Sequence, residues 1–243
     1  MRDLPDVLAD LESATRHLVD DAARLTAREL AQPSRLPNWT RAHVLAHLAQ
    51  NADAGVRLIN GARTGNPGFE DQSVTARAAA IEEGAQLPAA VLLKQLGESA
   101  QLFHESCLAM TAADWERAVS WTTGQRTPAD AVPRSRLTEV LVHHVDLDMG
   151  YPATAWPHAF VRERLDAVIS SLNRRALAPE TLRLVATDSG RTLVVNGAML
   201  QDTRSVSGTE TQLLVWLLGR SAGDELQVSD GGPLPELPTT YTT

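Results

Sequence analysis

Inside one apolar helical run, Leu137-Thr138-Glu139-Val140-Leu141-Val142-His143-His144-Val145-Asp146-Leu147-Asp148, the chain sets a carboxylate and an imidazole four residues apart. On a helix that spacing stacks Glu139 and His143 on one face, one turn apart. Leu137, Leu141, Val142 and Val145 fill the positions around them, which turns the pair toward the protein interior. A buried carboxylate is costly unless something positive compensates it. Upstream, His43-Val44-Leu45-Ala46-His47-Leu48 repeats the device with two histidines on another amphipathic run. Two helices that offer ligand-type side chains point to a packed helical bundle with a metal between two of its members.

The rest of the first half supplies the other helices. Leu8, Leu11, Ala14, Leu18, Ala22 and Leu25 recur at helical spacing over 8–26, and a connection with two prolines follows to Pro37. Asn38 or Thr40 can cap a helix that runs through His43, His47, Ala52 and Val56 to Gly61. A short helix over 73–83 and a longer one from Pro88 to Met110 come next. The stretch 114–133 reads as loop with a short strand pair, and a helix over 136–149 closes the bundle.

After Gly150-Tyr151-Pro152 the character changes. A helix over 160–177 precedes two strands, 181–186 and 191–195, joined through Asp188-Ser189-Gly190 as a β-hairpin. Ser207-Gly208-Thr209-Glu210 reads as a capping box that opens a helix over 213–218, which Gly219 can end. A last strand over 225–229 leads into a Pro/Gly-rich tail. The expected class is α+β: a helical domain over 1–152, then a small α+β domain over 153–243.

Composition removes several function classes. The net charge is −8 and no Lys/Arg cluster is longer than Arg174-Arg175, so nucleic acid and anionic membrane are not expected partners. No apolar run approaches the roughly 20 residues that span a bilayer, and the N-terminus lacks a signal-peptide pattern, so a cytoplasmic protein is expected. The lone Cys107 sits among Leu102, Phe103, Leu108 and Met110 and reads as a small buried hydrophobe rather than a nucleophile. An exposed face on the 160–177 helix could pair two copies, so monomer and homodimer both stay open.

If His47, Glu139 and His143 converge, a mixed nitrogen and oxygen donor set leaves at least one metal position open, the pattern of a catalytic rather than a closed structural site. Spacing alone leaves a second reading open: Glu139 and His143 as a buried hydrogen-bonded pair, with Arg136 three residues before Glu139 as its partner. His43 could support His47 or play no part. His144 is rotated about 100° from His143 and reads as packing or surface. Asp146 could orient an imidazole.

The runs Trp39-Thr40-Arg41-Ala42-His43-Val44-Leu45-Ala46-His47-Leu48-Ala49-Gln50-Asn51-Ala52 and Arg136-Leu137-Thr138-Glu139-Val140-Leu141-Val142-His143-His144-Val145-Asp146-Leu147 resemble the mycothiol-dependent maleylpyruvate isomerases. That family belongs to the wider DinB-like metal-binding bundles. Val206-Ser207-Gly208 and Leu218-Gly219-Arg220 also look like its small C-terminal domain. The resemblance implies a DinB-like four-helix bundle followed by a small α+β domain. It implies zinc, or another divalent metal, on His47, Glu139 and His143, with mycothiol as thiol cosubstrate and a small carboxylate as substrate. It also implies that Arg220 takes part in binding substrate or thiol in a cleft between domains, work that suits a bidentate guanidinium. The bland alternative for Arg220 is a surface arginine at the end of the preceding helix.

The implied reaction is thiolate addition to the cis double bond of maleylpyruvate, rotation, and elimination to fumarylpyruvate. Two alternatives share the same residues: a mycothiol S-transferase, in which the thiol stays attached, and a non-catalytic metal- or ligand-binding bundle. Substrate selection is expected in the loops 64–72 and 120–134.

Overall fold

The computed structural model describes residues 2–66, 70, 73–175, 180–197 and 203–236. The chain divides into two compact units, one from Arg2 to Tyr151 and one from Pro152 onward.

In the first unit the helices are α1 (Leu4–Ala22), α2 (Ala27–Leu30), α3 (Arg41–Thr64), α4 (Val74–Ala85), α5 (Ala89–Leu108), α6 (Ala112–Trp115) and α7 (Ala131–Asp146), with β1 (Ala118–Ser120) and β2 (Arg126–Pro128) between α6 and α7. Helix α1 buries Val7, Leu11, Ala14, Leu18 and Ala22, a single stripe facing α7 and α5. Helix α3 is buried nearly all round because it packs against α5, α4 and α7 together. The four long helices α1, α3, α5 and α7 thus form a bundle whose central member carries His47. Gly55 makes the α3/α5 approach possible, since a Cβ there would run into the Phe103 ring. Gly84 plays the same part for α4, because its Cβ would meet that of Ala46 on α3 at 2.9 Å.

Several boundaries differ from the sequence expectation. Helix α3 runs past the expected end at Gly61 to Thr64, and α7 stops at Asp146 rather than at 149. The connection after α1 holds the single turn α2, closed by a Thr26/Glu29 capping box. Helix α7 starts at Ala131, five residues before the expected Arg136, and takes in Pro133. Proline is tolerated there because a first-turn N–H has no intrahelical partner to lose.

The second unit opens with a 3₁₀ turn (Ala153–Ala155) and α8 (His158–Arg175), followed by β3 (Leu182–Ala186), β4 (Thr192–Val195), β5 (Ser205–Gly208), α9 (Glu210–Leu217) and β6 (Gln227–Val228). The expected end of the α8 helix at Leu177 lies outside the described residues. The sheet order is β4-β3-β5-β6. The hairpin β3/β4 is antiparallel, with Gly190 at φ 69° in its turn, and β3 pairs parallel with β5. Leu182, Leu184 and Ala186 alternate as the buried face of β3, and α8 and α9 cover strands of this sheet.

Strand β5 was not expected. Its residues Ser207 and Gly208 were assigned to a capping box, but they pair with Val185 and Ala186, and the box sits two residues later. There Thr209 N–H donates to Gln212 Oε1 (2.8 Å) and Gln212 N–H to Thr209 Oγ1 (3.2 Å). Helix α9 ends in a Schellman motif around Gly219 (φ 69°), with Arg220 N–H on the Val215 carbonyl and Gly219 N–H on that of Trp216. Among the described residues no helix is long and apolar enough to cross a membrane.

Candidate metal centre

Helices α3 and α7 place their ligand-type residues face to face. His47 Nε2 lies 2.8 Å from Glu139 Oε2, and His143 Nε2 lies 3.3 Å from the same oxygen. The two imidazoles meet edge to face with centroids 4.6 Å apart. The donor atoms of His47, Glu139 and His143 all fall within 4.8 Å of one another. Zinc held by such ligands at about 2.0–2.1 Å has tetrahedral edges of roughly 3.3 Å, so this donor set fits a divalent metal with little movement.

Local chain geometry fixes both helices at this point. The Thr40 N–H donates to His43 Nδ1 (3.2 Å) at the start of α3. At the end of α7 the Arg35 N–H donates to the Asp146 carbonyl (2.8 Å), and the Arg41 guanidinium donates to those of Leu147 (2.8 Å) and Asp148 (2.8 Å). These donors satisfy carbonyls that a helix terminus leaves unpaired, and they tie the loop before α3 to the end of α7.

Around the cluster, Asp146 Oδ2 lies 2.9 Å from His143 Nδ1 and is fully buried. That carboxylate holds a proton on Nδ1 and turns the Nε2 lone pair toward the cluster. Arg136, also buried, donates to the Leu48 carbonyl (2.8 Å) and to Asn51 Oδ1 (2.9 Å), so it bridges α7 to α3. Its guanidinium is therefore spent on α3 rather than hydrogen-bonded to the Glu139/His143 pair. Trp39 stands beside His47, ring centroids 5.7 Å apart, and Arg77 of α4 donates to His47 Nδ1 at 3.4 Å.

The electrostatics divide the two histidines. Burial, opposed by the Glu139 hydrogen bond, pushes His47 down to about 4, so the ring is neutral at physiological pH. Burial acts on His143 in the same direction, but hydrogen bonds to Asp146 and Glu139 outweigh it and raise the pKa. Burial alone would raise Glu139, yet the hydrogen bonds from His143 and His47 hold it well below the usual carboxylate range. A neutral imidazole and an ionised carboxylate are the forms that ligate a metal.

The other sequence candidates fall elsewhere. His43 stacks on Trp39 and bonds Thr40 and Glu82, so its hydrogen bonds go to residues outside the ligand cluster. His144 stacks on Tyr151 at 3.8 Å and bonds Asp21 on α1. Arg220 lies in the second unit, where its guanidinium donates to the Leu218 carbonyl (2.9 Å) at the end of α9. Cys107 is buried and burial pushes its thiol up to about 12, which rules against a resting nucleophile. Sequence reading left out Arg77 and gave no role to Asn51. The Asn51 position, one turn after His47, was visible; nothing in the spacing of Arg77 marked it, because α4 reaches His47 only through tertiary packing.

With this geometry in view, the comparisons are specific. The family model for the mycothiol maleylpyruvate isomerase N-terminal domain matches residues 11–148. The chain belongs to that family. A crystal structure of the mycothiol-dependent maleylpyruvate isomerase superposes with a TM-score of 0.90 at 26% identity, covering 98% of this chain and 97% of that one. A variant of that enzyme with one histidine replaced by alanine superposes with a TM-score of 0.89, again at 26% identity, with coverage of 98% and 97%. No curated protein gives a significant sequence match. The family match begins within α1 and ends just after α7, and so includes all three residues of the cluster.

Proposed function

We propose that the protein is a cytoplasmic mycothiol-dependent isomerase that converts maleylpyruvate, or a related cis-enoic acid, to the trans isomer, with zinc on His47, Glu139 and His143. The observation that carries this reading is the convergence of an open two-histidine, one-glutamate donor set in a chain that matches that isomerase over nearly its whole length. When bound, a divalent metal lowers the pKa of a coordinated thiol and so supplies a thiolate at neutral pH.

The chain's own residues then do the following. Asp146 fixes the His143 tautomer so that its Nε2 lone pair faces the cluster, and burial keeps His47 neutral, so that one of its ring nitrogens is available to ligate. Glu139 retains 26% exposure of its side chain while His47 has none, so Glu139 is the ligand of this pair that borders solvent. Trp39 offers a flat apolar surface beside His47 for a conjugated acid. In the reaction the thiolate forms a C–S bond to the activated alkene carbon and the π pair moves onto the conjugated carbonyl oxygen as an enolate. The former double bond rotates, the enolate collapses, and the C–S bond breaks to return the thiolate. No electrons are gained or lost overall. Arg220 is assigned to holding a carboxylate of substrate or thiol.

The test is product analysis with maleylpyruvate and limiting mycothiol. The expected result is trans product in excess of thiol, with free thiol undiminished at the end. A stoichiometric thioether adduct would replace this reading with S-transfer, and turnover in the absence of thiol would overturn both.

A further inference from the structure

Helix α4 delivers one cation to the edge of the ligand cluster. Ser73 caps the helix through the Ala76 N–H (3.0 Å), and Gly84 lets it settle against Ala46 of α3. This places Arg77 Nη2 at 3.4 Å from His47 Nδ1, on the ring atom opposite the one that faces Glu139. The ion pairs around the cluster use His43–Glu82, His47–Glu139, His143–Glu139 and His143–Asp146, and among the described residues no carboxylate pairs with Arg77. A half-exposed guanidinium has five N–H donors and here spends its one described side-chain contact on a neutral ring nitrogen.

That contact is incompatible with a metal. Arg77 can only donate, so His47 Nδ1 must be the lone-pair nitrogen and Nε2 must carry the proton that reaches Glu139. A metal beside Glu139 and His143 needs the Nε2 lone pair, which moves the single proton of the neutral ring to Nδ1. Nδ1 then has nothing to accept with, and Arg77 loses its acceptor. Charge points the same way. Two carboxylates, Glu139 and Asp146, already balance a divalent ion, so a thiolate and a dianionic substrate arriving at the cluster bring further negative charge; Arg136, whose charge already acts on Glu139, is committed to Leu48 and Asn51, whereas Arg77 stands at the edge of His47.

We propose that Arg77 is a specificity-determining residue that grips a carboxylate of the substrate, and that metal loading frees it by switching the His47 tautomer. The inference rests on the proposed isomerase reading and names the carboxylate anchor within the first unit. Arg77 and Trp39 flank His47, so a planar acid against the indole sets its carboxylate toward the guanidinium, where bidentate hydrogen bonding holds it.

Calorimetric titration with maleate tests this on the full chain, in zinc-loaded and metal-free wild type and in zinc-loaded Arg77→Gln and Arg77→Lys, with bound zinc measured for each. The expected result is one zinc per chain throughout and maleate binding at least about tenfold weaker in Arg77→Gln than in wild type, with Arg77→Lys between them. Metal-free wild type binds maleate no better than zinc-loaded Arg77→Gln. Equal maleate affinity in the zinc-loaded wild type and Arg77→Gln proteins overturns the anchor, because carboxylate binding to the metal alone survives that change. Equal affinity with and without zinc in wild type overturns the coupling. Turnover separates this from the isomerase reading: Arg77-dependent maleate binding without thiol-dependent isomerisation sinks only the latter, and an unchanged KM in an active Arg77→Gln enzyme sinks only the former.

Discussion

A neutral imidazole has one N–H and one lone pair, and at the cluster each ring is set by what holds its far nitrogen. For His143 that partner is the buried Asp146, which already enforces the metal-ready tautomer. Asp146→Asn is therefore expected to leave the fold intact while weakening zinc about 10- to 100-fold, read by competition with a chelator. Unchanged affinity would show that Asp146 serves only to close the end of α7. The two histidines also set a pH dependence. His143 has a raised pKa, so below that value, which lies above 6.5, the ring must lose a proton before it can ligate. His47, at about 4, contributes no such proton near neutrality. Zinc affinity is expected to decline as pH falls from the alkaline side through the raised His143 value, with a slope of about one proton. A profile that stays flat from alkaline to mildly acidic pH contradicts the assignment.

At the scale of elements, the bundle depends on close approach at small residues. Gly55→Ala pushes a methyl group into the Phe103 ring between α3 and α5, whereas a Cβ on Gly97 of α5 meets nothing within 4 Å. The first substitution is expected to cost about 1–3 kcal/mol, and the second to stabilise by up to about 1 kcal/mol through helix propensity. Thermal melts of the two variants should therefore move in opposite directions; a rise for Gly55→Ala would mean that α3 and α5 pack less tightly than described. The long helices were legible in the sequence because burial recurs at helical spacing in α1, α3 and α5. The single turns α2 and α6 were not, since four residues carry no period. Strand β5 was hidden for another reason. Ser205-Val206-Ser207-Gly208 is short and polar, and the capping pattern that begins at Ser207 competes with the one that begins at Thr209.

For the whole molecule, the bundle holds the entire ligand set, and the structural likeness to the isomerase extends beyond it through the small sheet unit. The ligand residues were readable because two of them share a helix at one-turn spacing and the third belongs to a similar pair. Arg77 was not, because α4 gains its place only from packing on α3. The same limit applies to the loops expected to select substrate, part of which lies outside the described residues. The central claim is that His47, Glu139 and His143 hold a metal that makes a thiol reactive toward a cis-enoic acid. It is met most directly by measuring bound zinc and maleylpyruvate isomerisation in the same preparations of wild type and His47→Ala, each with and without mycothiol. Wild type should carry about one zinc and turn over only when thiol is present, and His47→Ala should lose both metal and turnover. Isomerisation by zinc-free His47→Ala, or by wild type without thiol, would contradict it.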